Sequence, residues 1–192
     1  MTPLELAENI KSRFGEQLVG PVEFRGEATL TLRDPERIEE VCRWAKLECG
    51  CNLLLDITGI DNYGEDPRWT IVYELYGIEH GGHLRLKTGV SEEKSELPTV
   101  SSVWRGADWH EREVYDMLGI RFRGHPDLRR ILMWEGYPYF PLRKDFPLGG
   151  KPSECPGVAF TKSAPLDGGP FVTTPGVRDA VGREPRVREP AA

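Results

Sequence analysis

The sequence predicts an α+β protein. The expected architecture is a two-layer domain with a mixed β-sheet and helices on one side, in the order α-β-β-α-β-β-β, followed by a further helix and a long extended C-terminal tail. Apolar residues recur at helical spacing in two early segments, and they alternate or run together in five others. Eight of the 16 prolines fall in residues 147–192, a density that excludes ordinary helices and central strands there.

The first helix is predicted to begin at Thr2, where a capping residue is followed by proline and then by Glu5 at the capping-box position. Leu6, Ile10 and Phe14 follow at four-residue spacing. A second capping residue with proline, Asp34-Pro35, predicts a second helix that ends at Gly50 and carries its apolar face on Ile38, Val41, Cys42 and Ala45.

Five strands are predicted around these helices. The first two are Val22–Arg25 and Ala28–Arg33. Cys51–Ile60 is mostly apolar and is therefore predicted to be a central strand. Trp69–Ile78 and His83–Val90 alternate and complete the sheet. After Pro98 a helix is predicted from Val100 to Leu118 with Gly119 as its C-terminal cap, and no periodic element is predicted from Arg121 onward.

Composition limits the classes of function. The formal net charge of −6 argues against nonspecific binding to nucleic acid or anionic lipid. No apolar run approaches the ~20 residues of a membrane-spanning helix, and the N-terminus lacks the pattern of a secretory signal. The four cysteines are interpreted as free thiols.

Three regions are expected: an α+β domain at residues 1–98, a helix with an Arg-rich extended segment at 99–150, and a Pro- and Gly-rich tail at 151–192. The first 104 residues carry 11 basic and 19 acidic side chains, whereas residues 105–150 carry eight and seven. A tail without periodic structure is expected to pack on the surface of another protein.

Four short motifs bear on catalysis or metal binding. His110-Glu111-Arg112-Glu113-Val114 resembles the zinc-protease helix but has Val114 where the second histidine is needed. His80 and His83 alone do not complete a zinc site, so a solvated turn is favoured. The spacing of the cysteines does not favour an iron–sulfur cluster, and Gly149–Ser153 lacks the upstream glycine of a phosphate loop. The four cysteines are Cys42, Cys49, Cys51 and Cys155. None of these motifs predicts a catalytic, metal or cofactor site.

Two charged segments remain. On the predicted last helix, the spacing of Asp108 and Arg112 favours an ion pair, and the side chains of residues 111–113 point in different directions. Further along, Pro141 and Pro147 are expected to impose extended geometry at Phe140 and Phe146 in a recognition segment. Arg143, like Arg129 and Arg130, is able to pair with a carboxylate of a neighbour. The predicted intrachain and interchain anchors are Glu111, Arg112, Glu113, Asp116, His125, Arg129, Arg130, Arg143, Lys144, Asp145 and Phe146.

The same two segments carry a family resemblance. The pattern from Glu111 through Leu118, with His125 and the run Arg129–Leu132, resembles the signature of the C-type subunit, also called the 30 kDa-type subunit, of respiratory complex I, the NADH:quinone oxidoreductase. The segment Pro141–Leu148 is similar to the second hallmark of that family. The resemblance covers residues 99–150.

The resemblance implies a noncatalytic subunit of the peripheral arm that contains no cofactor. FMN and iron–sulfur clusters are then expected in partner subunits. It further implies packing mainly on the D-type subunit, which forms the quinone site with the B-type subunit, and a location at the cytoplasmic side of the inner membrane. The alternatives are the homologous subunit of a membrane-bound hydrogenase and a stand-alone metal or redox enzyme.

Overall fold

A computed structural model of the chain describes residues 1–148 and residue 151. They belong to two compact units, Met1–Met133 and a second unit that begins at Trp134. The first unit contains three α-helices and seven strands, which are α1 (Pro3–Phe14), β1 (Leu18–Phe24), β2 (Glu27–Leu32), α2 (Ile38–Glu48), β3 (Leu53–Asp61), β4 (Trp69–Tyr76), β5 (His83–Val90), β6 (Glu96–Pro98), α3 (Ala107–Leu118) and β7 (Arg121–Arg123).

The predicted start of α1 is confirmed. Thr2 Oγ1 accepts the backbone N–H of Glu5, and the Glu5 carboxylate accepts the backbone N–H of Thr2. This reciprocal pair satisfies two donors that the first turn of a helix leaves without partners. The second helix differs slightly from the prediction, because Asp34-Pro35 begins a short 3₁₀ turn and the α-helix starts at Ile38.

The five main strands form one mixed sheet in the order β1-β2-β5-β4-β3. Strand β2 pairs in parallel with β5, and the other three pairings are antiparallel. Alternate residues of the strands join the buried faces of the three helices in one continuous apolar core. The predicted α+β class and mixed sheet are therefore confirmed.

The predicted central position of the strand at Cys51–Ile60 is wrong. This strand is β3, which lies at the edge of the sheet, whereas β5 occupies the centre. Helix α3 packs on one face of β3, where a Cβ atom added at Gly59 would lie 2.4 Å from Leu118 Cδ1. The apolar residues Leu53, Leu55 and Ile60 of the same strand are exposed, so only part of the apolar run is buried.

The region after β5 also departs from the prediction. Residues 100–106 form turns, and α3 begins at Ala107 rather than at Val100. Strand β7 pairs in parallel with β6 in a second, two-stranded sheet, although the sequence predicts no element after Arg121. Strands of three residues are too short to show a periodic pattern, which explains why the sequence does not reveal them. Gly119 caps α3 in the left-handed conformation, as predicted.

No helix among the described residues is long and apolar enough to cross a membrane. The tail predicted at 151–192 lies outside the described residues except for Lys151, and so does most of the candidate phosphate loop at 149–153.

Candidate partner interface

A single carboxylate organises the loop that follows β7. Asp116 lies on α3 and is fully buried, and its Oδ2 accepts the backbone N–H groups of Ile131, Leu132 and Met133 at 3.0, 2.7 and 2.8 Å. Arg130 Nη1 donates to Asp116 Oδ1 at 2.5 Å. Burial acts to raise the pKa of Asp116, but the three backbone donors and Arg130 outweigh it and hold the pKa below its ordinary value. We call Asp116 and its four donors the Asp116 nest.

Arg112 fixes the same loop from a second position on α3. Its Nε and Nη2 atoms each donate at 3.2 Å, to the carbonyl oxygens of Arg129 and Arg130. The guanidinium also lies over the Trp109 ring, 5.0 Å from the ring centroid. The ion pair expected between Asp108 and Arg112 is therefore replaced by hydrogen bonds to backbone, because a guanidinium fork matches two neighbouring carbonyl groups.

Glu111 points into the core on another side of α3. Its Oε1 accepts the backbone N–H of Val100 at 2.7 Å, and its Oε2 lies 2.5 Å from Thr99 Oγ1. Burial raises the pKa of Glu111 to about 7, although both of these hydrogen bonds act to lower it. Glu113 is exposed, so the predicted divergence of residues 111–113 is confirmed.

His125 joins the loop after β7 to the start of α3. The backbone N–H of Asp127 donates to His125 Nδ1 at 3.0 Å, which leaves the ring proton on Nε2. His125 Nε2 lies 3.2 Å from the Asp108 carbonyl oxygen, 3.1 Å from Asp108 Oδ1 and 3.8 Å from Glu111 Oε2. The imidazole is completely buried, so it connects these segments inside the protein.

Arg129 and Arg130 were expected to bind carboxylates of a neighbouring protein. The structure directs both toward their own chain: Arg130 toward Asp116, and Arg129 Nε toward Asp127 Oδ2 at 2.8 Å. The Arg130 side chain is mostly covered and acts as an intrachain anchor, whereas Arg129 remains 71% exposed.

Two exposed apolar residues, neither of them among the predicted anchors, flank this region. Trp109 is 59% exposed and Leu132 is 61% exposed. Both are held by fixed neighbours, since Arg112 lies over the indole and Asp116 binds the backbone N–H of Leu132. We call the exposed Trp109 and Leu132 the signature surface, and the buried Arg112 supports its indole. In the sequence, only the position of Trp109 outside the apolar stripe of α3 indicated that this residue is exposed.

The second unit contains the other predicted anchors. The segment 141–148 forms turns rather than the predicted extended segment: Arg143 N–H donates to Phe140 O at 3.3 Å, and Phe146 N–H donates to Arg143 O at 3.0 Å. Proline favours the second position of a β-turn, and Pro141 occupies it here. The Arg143 guanidinium stacks on the Phe140 ring at 4.4 Å. Lys144 and Asp145 are the two central residues of the second turn, between Arg143 and Phe146, and both make further interactions.

The histidine and cysteine motifs have structural partners. His80 Nε2 lies 3.0 Å from the Cys49 carbonyl oxygen, and His80 Nδ1 accepts the N–H of Gly82. Cys42, Cys49 and Cys51 are buried free thiols, and burial raises the pKa of each, for Cys49 to about 11 and for Cys51 to about 12. Within residues 1–148 and 151, no group of three or more His, Cys, Asp or Glu side chains is placed to hold a metal ion.

Comparison with known families identifies the family of this chain. Residues 32–152 match the family described as respiratory-chain NADH dehydrogenase, 30 Kd subunit, and this match includes all the residues described above from β3 onward. The chain belongs to this family.

Curated relatives agree with the assignment to the 30 kDa subunit family. The NADH-quinone oxidoreductase C subunit of Geobacter sulfurreducens is 44% identical over 146 residues, which cover 76% of this chain and 90% of the relative. The NADH-quinone oxidoreductase C 2 subunit of Rhizobium etli is 53% identical over 118 residues, covering 60% of this chain and 63% of the relative. This chain is accordingly a component of the NADH-quinone oxidoreductase complex, complex I of the respiratory chain, and its partners are other subunits of that complex.

Solved structures show the same fold. A trypsin-resistant fragment (1-134) of Nqo5 is 34% identical, with a TM-score of 0.55, and the match covers 67% of this chain and all of the fragment. A chain of the membrane-bound sulfane sulfur reductase, an archaeal respiratory membrane complex, is 26% identical with a TM-score of 0.66 and covers 75% of this chain and 85% of that chain. The same fold is thus found in Nqo5 and in a chain of an archaeal respiratory membrane complex.

Proposed function

We propose that this chain is a noncatalytic scaffold subunit of the peripheral arm of complex I. In this proposal it packs on the D-type subunit, near the B-type subunit, and supports assembly of the quinone-reducing module. It lies at the cytoplasmic side of the membrane and holds no cofactor, whereas FMN and iron–sulfur clusters belong to partner subunits.

The observation that carries the proposal is the use of the signature charges. Asp116 and Arg112 bind backbone groups of residues 129–133, and Glu111 binds the backbone of Val100. These side chains diverge around α3 instead of converging on one cleft, as acid–base or nucleophilic catalysis would require. Asp116 and Arg112 hold the loop at residues 129–133 against α3, and Glu111 holds the turn before α3.

The rigid support favours binding of a partner protein. Trp109 and Leu132 expose apolar surface, while their neighbours already fix the indole and the loop backbone. Aromatic residues on a preorganised support are typical of the strongest contacts in protein interfaces, because little conformational freedom is lost on binding. We therefore assign the contact with the D-type subunit to the signature surface.

The test is the double substitution Trp109→Ala with Leu132→Ala in the intact complex. We expect the amount of assembled complex in native membranes to fall at least tenfold, because two central apolar contacts of about 1–2 kcal/mol each are lost. Turnover of NADH per assembled complex stays normal. Leu47→Ala is the matched control, since Leu47 is equally exposed but lies on α2.

Two outcomes contradict the proposal. Normal assembly with lost turnover would give the signature surface a catalytic role, and normal assembly with normal turnover would remove it from the interface. Identification of the chains that copurify from native membranes tests the proposed partners, since D-type and B-type subunits are expected among them. A nickel-binding large subunit in their place would identify a hydrogenase and contradict the proposal.

A further inference from the structure

A chain of three oxygen-bearing side chains connects the buried Glu111 to the turn before α3. Thr99 Oγ1 lies 2.5 Å from Glu111 Oε2 and 2.8 Å from Ser101 Oγ, and it accepts the backbone N–H of Ser101 at 3.1 Å. Thr99 and Glu111 are buried, whereas Ser101 is partly exposed. The chain therefore leads from a carboxyl group in the core to a hydroxyl near solvent.

The direction of these hydrogen bonds depends on the state of Glu111. A threonine hydroxyl has one proton, so Thr99 donates to Glu111 or to Ser101 but not to both. When Glu111 is ionised, Thr99 donates to its carboxylate and Ser101 donates to Thr99. When Glu111 is neutral, its own proton is donated to Thr99, and Thr99 donates to Ser101. Both states keep every hydrogen bond of the chain.

The surroundings of Glu111 favour retention of the proton. The titratable groups that face it are Asp108 on the same helix, His125 from the loop, Cys42 from α2 and Tyr73 from β4. In the part of the chain that the structure describes, no lysine or arginine forms an ion pair with Glu111. Burial without a cation disfavours the carboxylate and gives Glu111 its pKa of about 7, compared with an ordinary value of 4.5.

We propose that Glu111, Thr99 and Ser101 form a proton-exchange site that makes the stability of α3 and of the turn before it respond to pH near neutrality. On ionisation the Glu111 proton passes to Thr99 Oγ1, the Thr99 proton passes to Ser101 Oγ, and the Ser101 proton passes to water. The role in complex I rests on the proposed function, whereas the proton exchange is a property of the isolated chain and is tested there.

The sign of the effect follows from linkage. Between pH 4.5 and 7 the folded chain retains a proton that the unfolded chain has lost, so this contribution to stability is complete below pH 4.5 and disappears as the pH rises through 7. The corresponding change in the folding equilibrium constant is at most about 300-fold. The hydrogen bond from the Val100 N–H to Glu111 becomes stronger as the pH rises, because an ionised carboxylate is a stronger acceptor.

The experiment is an NMR titration of the full chain between pH 4 and 9, which follows glutamate side-chain carboxyl carbons and the Val100 amide. One carboxyl signal is expected to titrate with a midpoint near 7, and the Val100 amide shift should follow it. Glu111→Gln removes both transitions, whereas Glu113→Gln on the exposed side of α3 leaves them in place. A midpoint near 4.5 for Glu111 would overturn the proposal, without affecting the assembly test of the signature surface.

A second pair of variants tests the hydroxyl chain itself. Thr99→Val removes a donor that favours the ionised form, so the midpoint should move upward; Ser101→Ala removes only the outer hydroxyl and should move it less. An unchanged Glu111 midpoint in Thr99→Val refutes the row of hydroxyl hydrogen bonds. If Thr99→Val does not fold, two other results still contradict the proposal: a Glu111 midpoint of 4.5 in the wild type, or an unchanged Glu111 midpoint in Ser101→Ala.

Discussion

Replacing Asp116 by asparagine tests how the signature helix holds its loop. The substitution keeps the shape of the side chain but removes its charge, and it turns one of the two acceptor atoms into an N–H₂ donor. Asparagine can still direct its oxygen toward the three backbone N–H groups of residues 131–133. Its amide nitrogen then faces the Arg130 guanidinium, where two donors oppose each other.

The expected cost follows from the geometry of the nest. Hydrogen bonds to a charged partner contribute about 1.5–3 kcal/mol and neutral ones about 0.5–1.5 kcal/mol, so each of the three backbone bonds loses about 1 kcal/mol. Since the contact with Arg130 is also lost, we expect Asp116→Asn to lower the free energy of unfolding by about 3–5 kcal/mol at pH 7. This is a large share of the stability of a domain of this size.

The assay is urea denaturation of the full chain, followed by circular dichroism and by trypsin cleavage at Arg129 and Arg130. Asp116→Asn should unfold at lower urea and be cleaved faster at these two sites. Glu113→Gln is the matched control, because it removes a carboxylate from the exposed side of α3 and should change stability by less than about 0.5 kcal/mol. If Asp116→Asn also stays within that margin and its loop resists trypsin, the nest does not hold the loop.

Two further substitutions test neighbouring contacts. Arg112→Lys should lower the free energy of unfolding by about 1–2 kcal/mol in the same assay, because one ammonium cannot reach the Arg129 and Arg130 carbonyls and also stack on Trp109; equal stability would mean that charge alone matters. Gly59→Ala should cost about 1–3 kcal/mol, measured by thermal unfolding, because its Cβ would lie 2.4 Å from Leu118 Cδ1 in the packed core. An unchanged melting temperature would show that α3 can move away from β3 without loss.

Local signals predicted the fold where they act over short distances. The capping box at Thr2 and the alternation in β4 and β5 are each complete within one segment, so they identified their elements correctly. The position of β3 depends on which strand pairs with which, and that choice is made between segments far apart in the chain. An edge strand that is covered by a helix has the same apolar composition as a central strand of the sheet.

The candidate site was predicted by residue but not by contact. The family pattern identified Asp116 and Arg112, yet their partners are backbone groups of residues 129–133, which no side-chain pattern identifies. Sequence spacing suggested an ion pair between Asp108 and Arg112 because residues four apart on a helix are neighbours. The loop after β7 returns to α3 and offers Arg112 two carbonyl groups, a competitor that helical spacing cannot reveal.

Acid distinguishes the charge of Asp116 from its shape. The pKa of Asp116 in the folded chain lies below the ordinary value of 3.8, so its contribution to stability is complete above that value and is lost as the pH falls through the folded pKa. Asparagine does not titrate. The difference in unfolding free energy between the wild type and Asp116→Asn should therefore be constant from pH 7 to about pH 5 and shrink below pH 4. A difference that persists undiminished at pH 3 would show that the three backbone N–H groups respond to the position of an oxygen atom and not to its charge.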